Sequence, residues 1–392
     1  MDTIRAAVTA VKERVIGARR DLHRIPETGF NEVKTSAYVA TQLKDLGLEV
    51  QTGIAQHGVV GLLRTGRPGP TLMIRADMDA LPMAEETGRP FASTHPGCMH
   101  ACGHDAHMAM ALGAAAVLCQ LKDSLRGHVK FVFQPAEEGP GGAQPMIAAG
   151  VMENPTVNYA IGCHLWAERP EGYIGIRSGP FMAAMDRFDL KIVGRGGHAA
   201  QPHRCVDALE VGAQVVAALQ RIVSRQMDPV EPAVVTVGSF HAGTAFNITP
   251  SEAVMSGTTR TFSEEIWKSW EARLERVVRG VCESMGAGFE LKYTRGYPPT
   301  VNDAKMAEVV RRSAVRVVGA ERVVEPELTM GGEDMAFFLK LVPGCYYCIG
   351  VGREDAAPLH NPKFDFREDL MLLGVETHCR VALDLLGPET PT

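Results

Sequence analysis

The stretch VKFVFQ at residues 129–134 is rich in β-forming residues and too apolar to lie on a protein surface. Comparable runs stand at 59–63 and 72–76, and a further strand is predicted near 159–164. Between the runs at 72–76 and 129–134 lies an alanine- and methionine-rich segment, about 105–121, that predicts a helix. Strands alternating with helices are typical of an α/β layer with a mainly parallel, helix-covered sheet. We therefore predict an α/β fold.

The order of elements changes near residue 185. From there the sequence predicts strand, helix, two strands, helix and strand, which is the split β-α-β-β-α-β order of a ferredoxin-like unit. These elements are predicted at 187–193, 207–225, 233–240, 252–261, 264–285 and 289–293. Helical segments at 3–23, 32–46, 303–317 and about 367–386, and a strand at 345–350, flank this unit.

A chain of 392 residues exceeds the size at which a single core stops growing, so two domains are expected. We predict a catalytic α/β domain formed by residues 1–184 and 298–392. An α+β domain at 185–297 is predicted to be inserted into it.

The composition narrows the classes of partner. Apolar residues make up 45% and charged residues 22% of the chain, as in ordinary globular proteins, and the net charge of −6 gives no basic surface for nucleic acid. No window approaches the roughly 18 apolar residues of a membrane span, and no secretory leader is visible. Nine cysteines without a framework spacing favour reduced thiols. We expect a cytoplasmic protein without nucleic-acid or membrane partners.

Cys102 and His104 lie in the run MHACGHDAH at residues 99–107, directly before a predicted helix. A helix N-terminus favours a thiolate, and the glycine between the two residues lets both side chains face one point. Taken alone, Cys102 is a small buried apolar residue and His104 a helix cap. Because His100, Asp105 and His107 crowd the same loop, and burying so many ionisable groups is costly, we favour a metal site.

A pair of carboxylates, Glu137 and Glu138, follows the strand at 129–134. The ends of strands are where open α/β sheets place their ligand crevice. Adjacent residues point in different directions, so one carboxylate can bind a metal while the other faces an attacking water and takes its proton. The alternative is a solvated acidic turn before Gly139.

Four further residues stand at the ends of predicted strands or in a rigid loop. His164 ends an apolar strand, and His360 lies in the proline-bracketed loop PLHNP. Asp77 and Asp79 follow a buried strand and, being two apart, can face the same way to orient a metal-bound histidine. The alternatives are that His164 is a core histidine, that His360 is an ordinary loop residue, and that Asp77 and Asp79 form a strand-capping turn.

Several of these segments together resemble the M20 peptidase and aminoacylase family, and within it the group of hippurate hydrolases, N-acyl-amino-acid amidohydrolases and auxin-conjugate hydrolases. The resemblance is carried by residues 75–82, 99–107, 134–139, 162–166 and 358–362, and it runs from the segment DLHRIPE at 21–27 to the final helix. It implies a catalytic α/β domain that holds two divalent metal ions. It also implies that the inserted domain is a lid through which the chain forms a homodimer; a tetramer stays open.

The resemblance also implies roles for single residues. Cys102 would lie between the two metals, with His104, Glu138, His164 and His360 as the other ligands and Glu137 as the general base. In the better-known metallopeptidase branch an aspartate bridges the metals and a histidine stands in place of Asp77, so this chain follows the amidohydrolase branch. Zinc, manganese, cobalt and nickel all remain open.

In the predicted lid, the resemblance implies three more site residues. His198 lies in GGHAAQPH at 196–203, and in relatives the histidine at this place reaches the partner subunit's active site and polarises the scissile carbonyl. Asn247 and Arg260 match motifs that hold a substrate carboxylate, for which arginine has a suitable bidentate donor pair. Without the resemblance, each would be taken as a turn or solvated strand residue.

The predicted reaction is metal-dependent hydrolysis of N-acyl amino acids, such as hippurate-like substrates, to a carboxylic acid and a free amino acid. An aromatic, acetyl or indole-acetyl acyl group all stay open. Two other classes are kept as alternatives. One is a cysteine hydrolase with Cys102 as nucleophile, and the other is a non-catalytic protein with a structural metal.

Overall fold

The structure is a computed structural model that describes residues 2–388. The chain divides into two compact units. The first comprises the residues up to Gly179, Val301–Glu327 and the residues from Asp334 on, and the second comprises Pro180–Thr300 and Leu328–Glu333. The domain boundaries at 184/185 and 297/298 stay predictions.

The helices and strands follow one another along the chain in three stretches. The first holds α1 (Thr3–Ala10), α2 (Lys12–His23), α3 (Val33–Asp45), β1 (Glu49–Ile54), β2 (Gly58–Arg64), β3 (Thr71–Asp77), α4 (His104–Gln120), β4 (His128–Gln134), α5 (Ala143–Ala148), β5 (Tyr159–Pro170), β6 (Ile174–Gly175) and β7 (Gly179–Met182). The second holds β8 (Ala184–Val193), β9 (Gly197–His198), α6 (Ala208–Gln226), β10 (Ala233–Ala242), β11 (Ile248–Thr249), β12 (Glu252–Thr261), α7 (Glu264–Ser284) and β13 (Gly288–Tyr297). The third holds β14 (Thr300–Asn302), α8 (Ala304–Val318), β15 (Val323–Val324), α9 (Met335–Leu339), β16 (Gly344–Gly352) and α10 (Met371–Leu386).

An eight-stranded sheet forms the centre of the first unit, in the order β1-β2-β4-β3-β5-β16-β6-β15. The central neighbours β4, β3, β5 and β16 are parallel, whereas β1 and β2 at one edge are antiparallel. Strand β3 is buried along its whole length, as expected for a parallel strand covered on both faces. The predicted α/β class with a mainly parallel sheet is confirmed.

Helix α4 lies inside the core of the first unit. Every residue from His104 to Leu118 is buried, and small residues let neighbouring helices approach closely. A Cβ added at Gly113 would lie 2.5 Å from Val15 of α2 and 2.9 Å from Val375 of α10. A larger residue at position 113 would therefore push these helices apart.

The second unit carries the predicted ferredoxin-like order. Its antiparallel sheet runs β10-β12-β8-β13, with α6 and α7 as the two helices of the β-α-β-β-α-β unit. Strand β8 alternates buried and partly exposed residues, and the fully buried Trp270 of α7 packs into the core of this unit. The inserted α+β architecture is thus confirmed as part of the fold class.

Among residues 2–388, no helix combines the length and the apolar character needed to span a membrane.

Candidate metal centre

The candidate site residues of the first unit lie at the ends of its parallel strands. Asp77 is the last residue of β3, Glu137 and Glu138 follow β4, and His164 lies in β5. His104 is the first residue of α4 and follows Gly103, whose φ of 83° is in the left-handed region. Glycine suits this turn because it enters that region without steric cost, and an added Cβ would lie 3.2 Å from Leu165.

The five predicted metal ligands come together around one sulfur atom. Two sets of three side chains share Cys102, one with His104 and His164 and the other with Glu138 and His360. In each set the ligand atoms lie within 4.8 Å of one another. The Cys102 Sγ atom lies 3.3 Å from Nε2 of both His164 and His360.

Carboxylates close the gap between the two sets. The Glu138 Oε1 atom lies 3.1 Å from His360 Nε2 and 4.0 Å from His104 Nε2. A carboxylate oxygen of Glu137, the predicted base, also lies 4.0 Å from His104 Nε2. Glu137 therefore stands beside the predicted ligands rather than on a solvated turn.

The two buried histidines of the first set have one ring nitrogen occupied by the backbone. His104 Nδ1 contacts the Asp79 carbonyl oxygen at 2.8 Å, and His164 Nδ1 contacts the Leu165 carbonyl oxygen at 2.5 Å. Their Nε2 atoms thus point to the cluster. Within residues 2–388, His104 Nε2 is buried without a hydrogen-bond partner, which is a costly state for a polar atom.

The pKa shifts follow from burial and from the crowding of carboxylates. Burial and the neighbouring Glu138 and Glu137 raise the pKa of the Cys102 thiol well above its usual value. Burial lowers the pKa of His164 to about 3, so its imidazole is neutral and offers a lone pair. Burial opposes ionisation of Glu138, but His360 and His104 outweigh it and lower its pKa to about 2.

These observations fit a pair of cations. A thiol, three imidazoles and a carboxylate converge, and among the described residues the buried His104 Nε2 and Glu138 Oε1 atoms lack a hydrogen-bond partner. A bound cation would let the Cys102 sulfur ionise, since coordination deprotonates a thiol. The residues present therefore fit divalent metal ions, and Cys102 belongs to both candidate groups.

Asp79 organises the backbone of the site. Its two carboxylate oxygens accept hydrogen bonds of 2.9 Å from the N–H groups of Glu137 and Glu138, and its carbonyl oxygen accepts one from His104. Asp79 thus fixes both the carboxylate pair and one imidazole.

Asp77 makes a different contact from the one expected for it. Its Oδ1 accepts a 2.6 Å hydrogen bond from His107 Nδ1, and its Oδ2 accepts one of 2.7 Å from Arg75. The distance from its Oδ2 to His104 Nε2 is 3.9 Å, beyond hydrogen-bond range. Asp77 therefore reaches the predicted ligands through His107.

His107 is a residue whose role the sequence reasoning missed. Its Nε2 accepts the backbone N–H of Leu165 at 3.0 Å, so its proton must sit on Nδ1, where Asp77 accepts it. Leu165 follows the predicted ligand His164, whose ring is bound to the Leu165 carbonyl oxygen. The sequence does indicate that His107 lies near the site, because a residue three positions after His104 lies on the same face of the helix.

Two buried carboxylates from distant parts of the sequence support the loop after β4. Asp334 accepts hydrogen bonds from Arg75, from Gln134 and from the N–H groups of Gly142 and Ala143. Glu32 accepts the N–H of Ala136 at 2.8 Å. Nothing in the local sequence around Asp334 or Glu32 indicates these contacts.

The remaining predicted site residues lie in the second unit. His198 is in β9, which pairs with β11, so that Ile248 stands opposite His198 and Asn247 lies directly before it. Both His198 and Asn247 are exposed, and the neighbouring Phe246 is 99% exposed. Arg260 is in β12 and donates to the Met330 carbonyl oxygen at 3.3 Å. The second unit thus brings His198 and Asn247 together on one exposed loop pair.

Comparison with known proteins gives consistent matches. Residues 73–384 match the peptidase family M20/M25/M40. The N-acyl-L-amino acid amidohydrolase of Geobacillus stearothermophilus is 47% identical over 302 residues, which are 77% of this chain and 81% of that protein. Thermostable carboxypeptidase 1 of Saccharolobus solfataricus is 38% identical over 390 residues, covering 98% of each chain.

A solved structure is similar across nearly the whole chain. It is the YXEP protein of Bacillus subtilis, described as a dinuclear metal binding peptidase from the M20 family. It superposes with a TM-score of 0.84 at 34% identity, over 96% of this chain and 99% of that one.

Proposed function

The chain belongs to the peptidase family M20/M25/M40, and from this premise we propose that it hydrolyses the amide bond of N-acyl amino acids, with hippurate-like compounds as substrates. The products would be a carboxylic acid and a free amino acid. The predicted family resemblance and the predicted class of enzyme, a hydrolase acting on linear amide bonds, are confirmed. The substrate and the residue roles are the proposal.

The observation that carries the proposal is the pair of ligand sets joined at Cys102, with Glu137 beside them. A structural zinc site fills its four positions with protein ligands, whereas Cys102, His104, Glu138, His164 and His360 would together hold two ions with too few protein ligands to fill every position, which would leave room for water and substrate. When bound, such ions supply a water of lowered pKa and polarise the substrate carbonyl. A ligand set of this kind accepts zinc, manganese, cobalt or nickel.

The chain's own residues would then move the proton. Glu137, 4.0 Å from His104 Nε2, takes the proton of the attacking water at its carboxylate and gives it to the amide nitrogen as the carbon–nitrogen bond breaks. Asp79 holds the Glu137 backbone so that this carboxylate stays in place. The amine then leaves as a neutral group.

His198, Asn247 and Arg260 would act on the substrate from the second unit. His198 donates a hydrogen bond to the oxyanion that develops on the carbonyl, and Asn247 and Arg260 hold the substrate carboxylate. Phe246 and Ile248, on either side of Asn247, are 99% and 52% exposed and support a homodimer in which this loop covers the site of the partner subunit, because adjoining exposed apolar side chains are typical of an interface.

The proposal is tested with a substrate panel and metal exchange. N-benzoyl, N-acetyl and N-indoleacetyl amino acids are assayed after chelation and after addition of manganese, cobalt, nickel or zinc. We expect activity to vanish on chelation, to return with metal and to be highest for N-benzoyl substrates. Activity that survives complete metal removal would instead favour Cys102 as a nucleophile. Metal binding without hydrolysis of any substrate would favour a non-catalytic protein.

A further inference from the structure

The first unit also contains a cavity lined by polar residues other than the candidate metal ligands. It is a cavity of about 480 Å³ whose wall carries five arginines: Arg20, Arg24, Arg89, Arg353 and Arg367. Two carboxylates, Asp365 and Glu368, also line it. Guanidinium groups repel one another, so their convergence on one cavity requires an explanation.

The two carboxylates are directed to a buried arginine beneath the cavity. Arg19 is only 1% exposed, and it donates to Asp105 at 2.9 Å, to Asp365 at 3.2 Å and to Glu368 at 3.3 Å. Each of the two lining carboxylates must therefore serve Arg19 as well as an arginine of the wall. Glu368 also accepts from Arg20, and Asp365 from Arg89.

The other three arginines have weak partners or none. The pair Arg24–Asp21 spans 3.3 Å with side chains 43% and 53% exposed, and such surface pairs contribute only about 0–1 kcal/mol. Arg367 pairs with Glu171 and Asp369 at the surface. Arg353 forms no ion pair with any residue that the structure describes.

We propose that this cavity binds a compact oxyanion with several negative charges, of the pyrophosphate class. Arginine forks bind phosphoryl oxygens in bidentate fashion, and exchanging weak surface pairs for such bonds costs little. An anion with a single charge would leave most of these guanidinium groups without an acceptor oxygen. The rings that border the cavity, Phe91 and Phe366, are buried beneath the Arg19 guanidinium, so they offer no open face for a nucleobase.

The cavity is connected to both ends of the candidate metal centre. Arg19 holds Asp105, the residue after His104. Asp365 and Arg367 lie in the segment that follows His360, and the Pro362 carbonyl oxygen of that segment accepts the N–H of Glu86. Both segments therefore carry carboxylates that pair with the arginines of the cavity or with Arg19.

The test is calorimetric titration of the chelator-treated protein with sodium pyrophosphate. Removing metals prevents the probe from binding to them. We expect saturable binding of one pyrophosphate per chain that weakens as salt increases. Acetate at the same ionic strength should give no saturable heat.

Three double variants test whether pyrophosphate binds in this cavity. Arg24→Gln with Arg353→Gln should weaken the affinity at least tenfold, whereas Arg221→Gln with Arg225→Gln, which removes two exposed arginines of the second unit, should change it less than twofold. All four positions are on the surface, and a thermal melt of each variant checks the fold. The affinity of the charge-preserving variant Arg24→Lys with Arg353→Lys should lie between those of the two glutamine variants, since lysine keeps the charge but lacks the bidentate donor pair of arginine.

Three results would overturn the proposal. The first is the absence of pyrophosphate binding, and the second is equal weakening in both glutamine variants, which would indicate only non-specific attraction. The third is binding that requires added metal, which would place the anion at the metal centre. None of these depends on whether the enzyme hydrolyses N-acyl amino acids, so the two proposals can fail separately.

Discussion

The candidate metal centre of the first unit and the His198 loop of the second unit hold their polar side chains in opposite ways. At the candidate metal centre, His104 and Asp79 are buried, and the His104 imidazole donates a hydrogen bond to the Asp79 carbonyl oxygen. Asp77 is held by His107 and Arg75. In the second unit, His198 stands on a two-residue strand and is exposed. The first region is preorganised by its own chain, whereas His198 in the second is open to solvent.

The sharpest test of the preorganised region is Glu137→Gln. The amide cannot accept the proton of the attacking water, so we expect turnover to fall by about 10²–10⁴-fold, while metal content stays normal. Steady-state kinetics and metal analysis measure the two quantities. The exposed Glu265→Gln serves as a matched control and should behave like wild type. Undiminished turnover in Glu137→Gln would refute the assignment of this base.

For the exposed region the corresponding change is His198→Ala. Loss of one donor to the oxyanion should lower turnover by about 10²–10³-fold with unchanged metal content. His203→Ala, which removes an exposed histidine nearby, is the control.

Co-expression of His198→Ala with Glu137→Gln asks whether His198 acts on the partner subunit. If the chain forms the proposed homodimer, random assembly gives hybrid dimers with one intact site, so roughly a quarter of the wild-type rate should return. A mixture as inactive as its parents would contradict action between subunits.

The charge network beside the metal centre predicts a pH effect on stability. Burial lowers the pKa of His23, but Asp105 at 2.7 Å and Glu85 at 3.2 Å outweigh it and raise the pKa to about 9. The stabilisation is thus complete below the unfolded pKa of about 6.5 and is lost as the pH rises through 9, by on the order of 3 kcal/mol. Arg19 also faces His23 and opposes its charge.

Denaturant unfolding of wild type and His23→Gln at pH 6 and pH 10 measures this contribution. The difference between the two proteins should be large at pH 6 and small at pH 10. A difference that grows with pH would show that His23 is neutral in the folded protein.

A smaller effect, on metal affinity, is expected for the variant His107→Phe. This change removes the hydrogen bond to the Leu165 N–H, so the site formed by Cys102, His104 and His164 should bind its metal about 10–100-fold more weakly. The site that includes Glu138 and His360 should keep its affinity. Metal titration resolves the two sites, and His57→Phe is the control. Equal weakening of both sites would point to general loss of structure instead.

The sequence predicted the parts of the fold with strong apolar patterns. Strands β3 and β4 are buried along nearly their whole length and were found, as were α6 and α7 with their apolar faces. Strand β1 was missed, because the edge sequence EVQTGI is mostly polar and exposed. The single helix predicted at 3–23 is two helices, since the backbone leaves the helical conformation at Val11.

Local motifs supplied Cys102, His104 and Glu138, but spacing alone could not join them to His360. His360 lies 258 residues from Cys102, and only the family resemblance linked the two. The contacts of Arg75 with Asp334, 259 residues apart, and of Glu32 with Ala136 could not be predicted. Such contacts depend on how distant segments pack, and a single sequence carries no sign of them.

If His104 holds a metal as proposed, the burial of α4 from His104 to Leu118 links metal binding to the stability of the first unit. A ligand that binds only the folded state stabilises it by mass action, by about 2.7 kcal/mol when its concentration is a hundred times its dissociation constant. Because the first residue of this central helix is also a candidate ligand, heat resistance becomes a readout of metal occupancy. A cell that runs short of the metal would lose folded enzyme as well as activity.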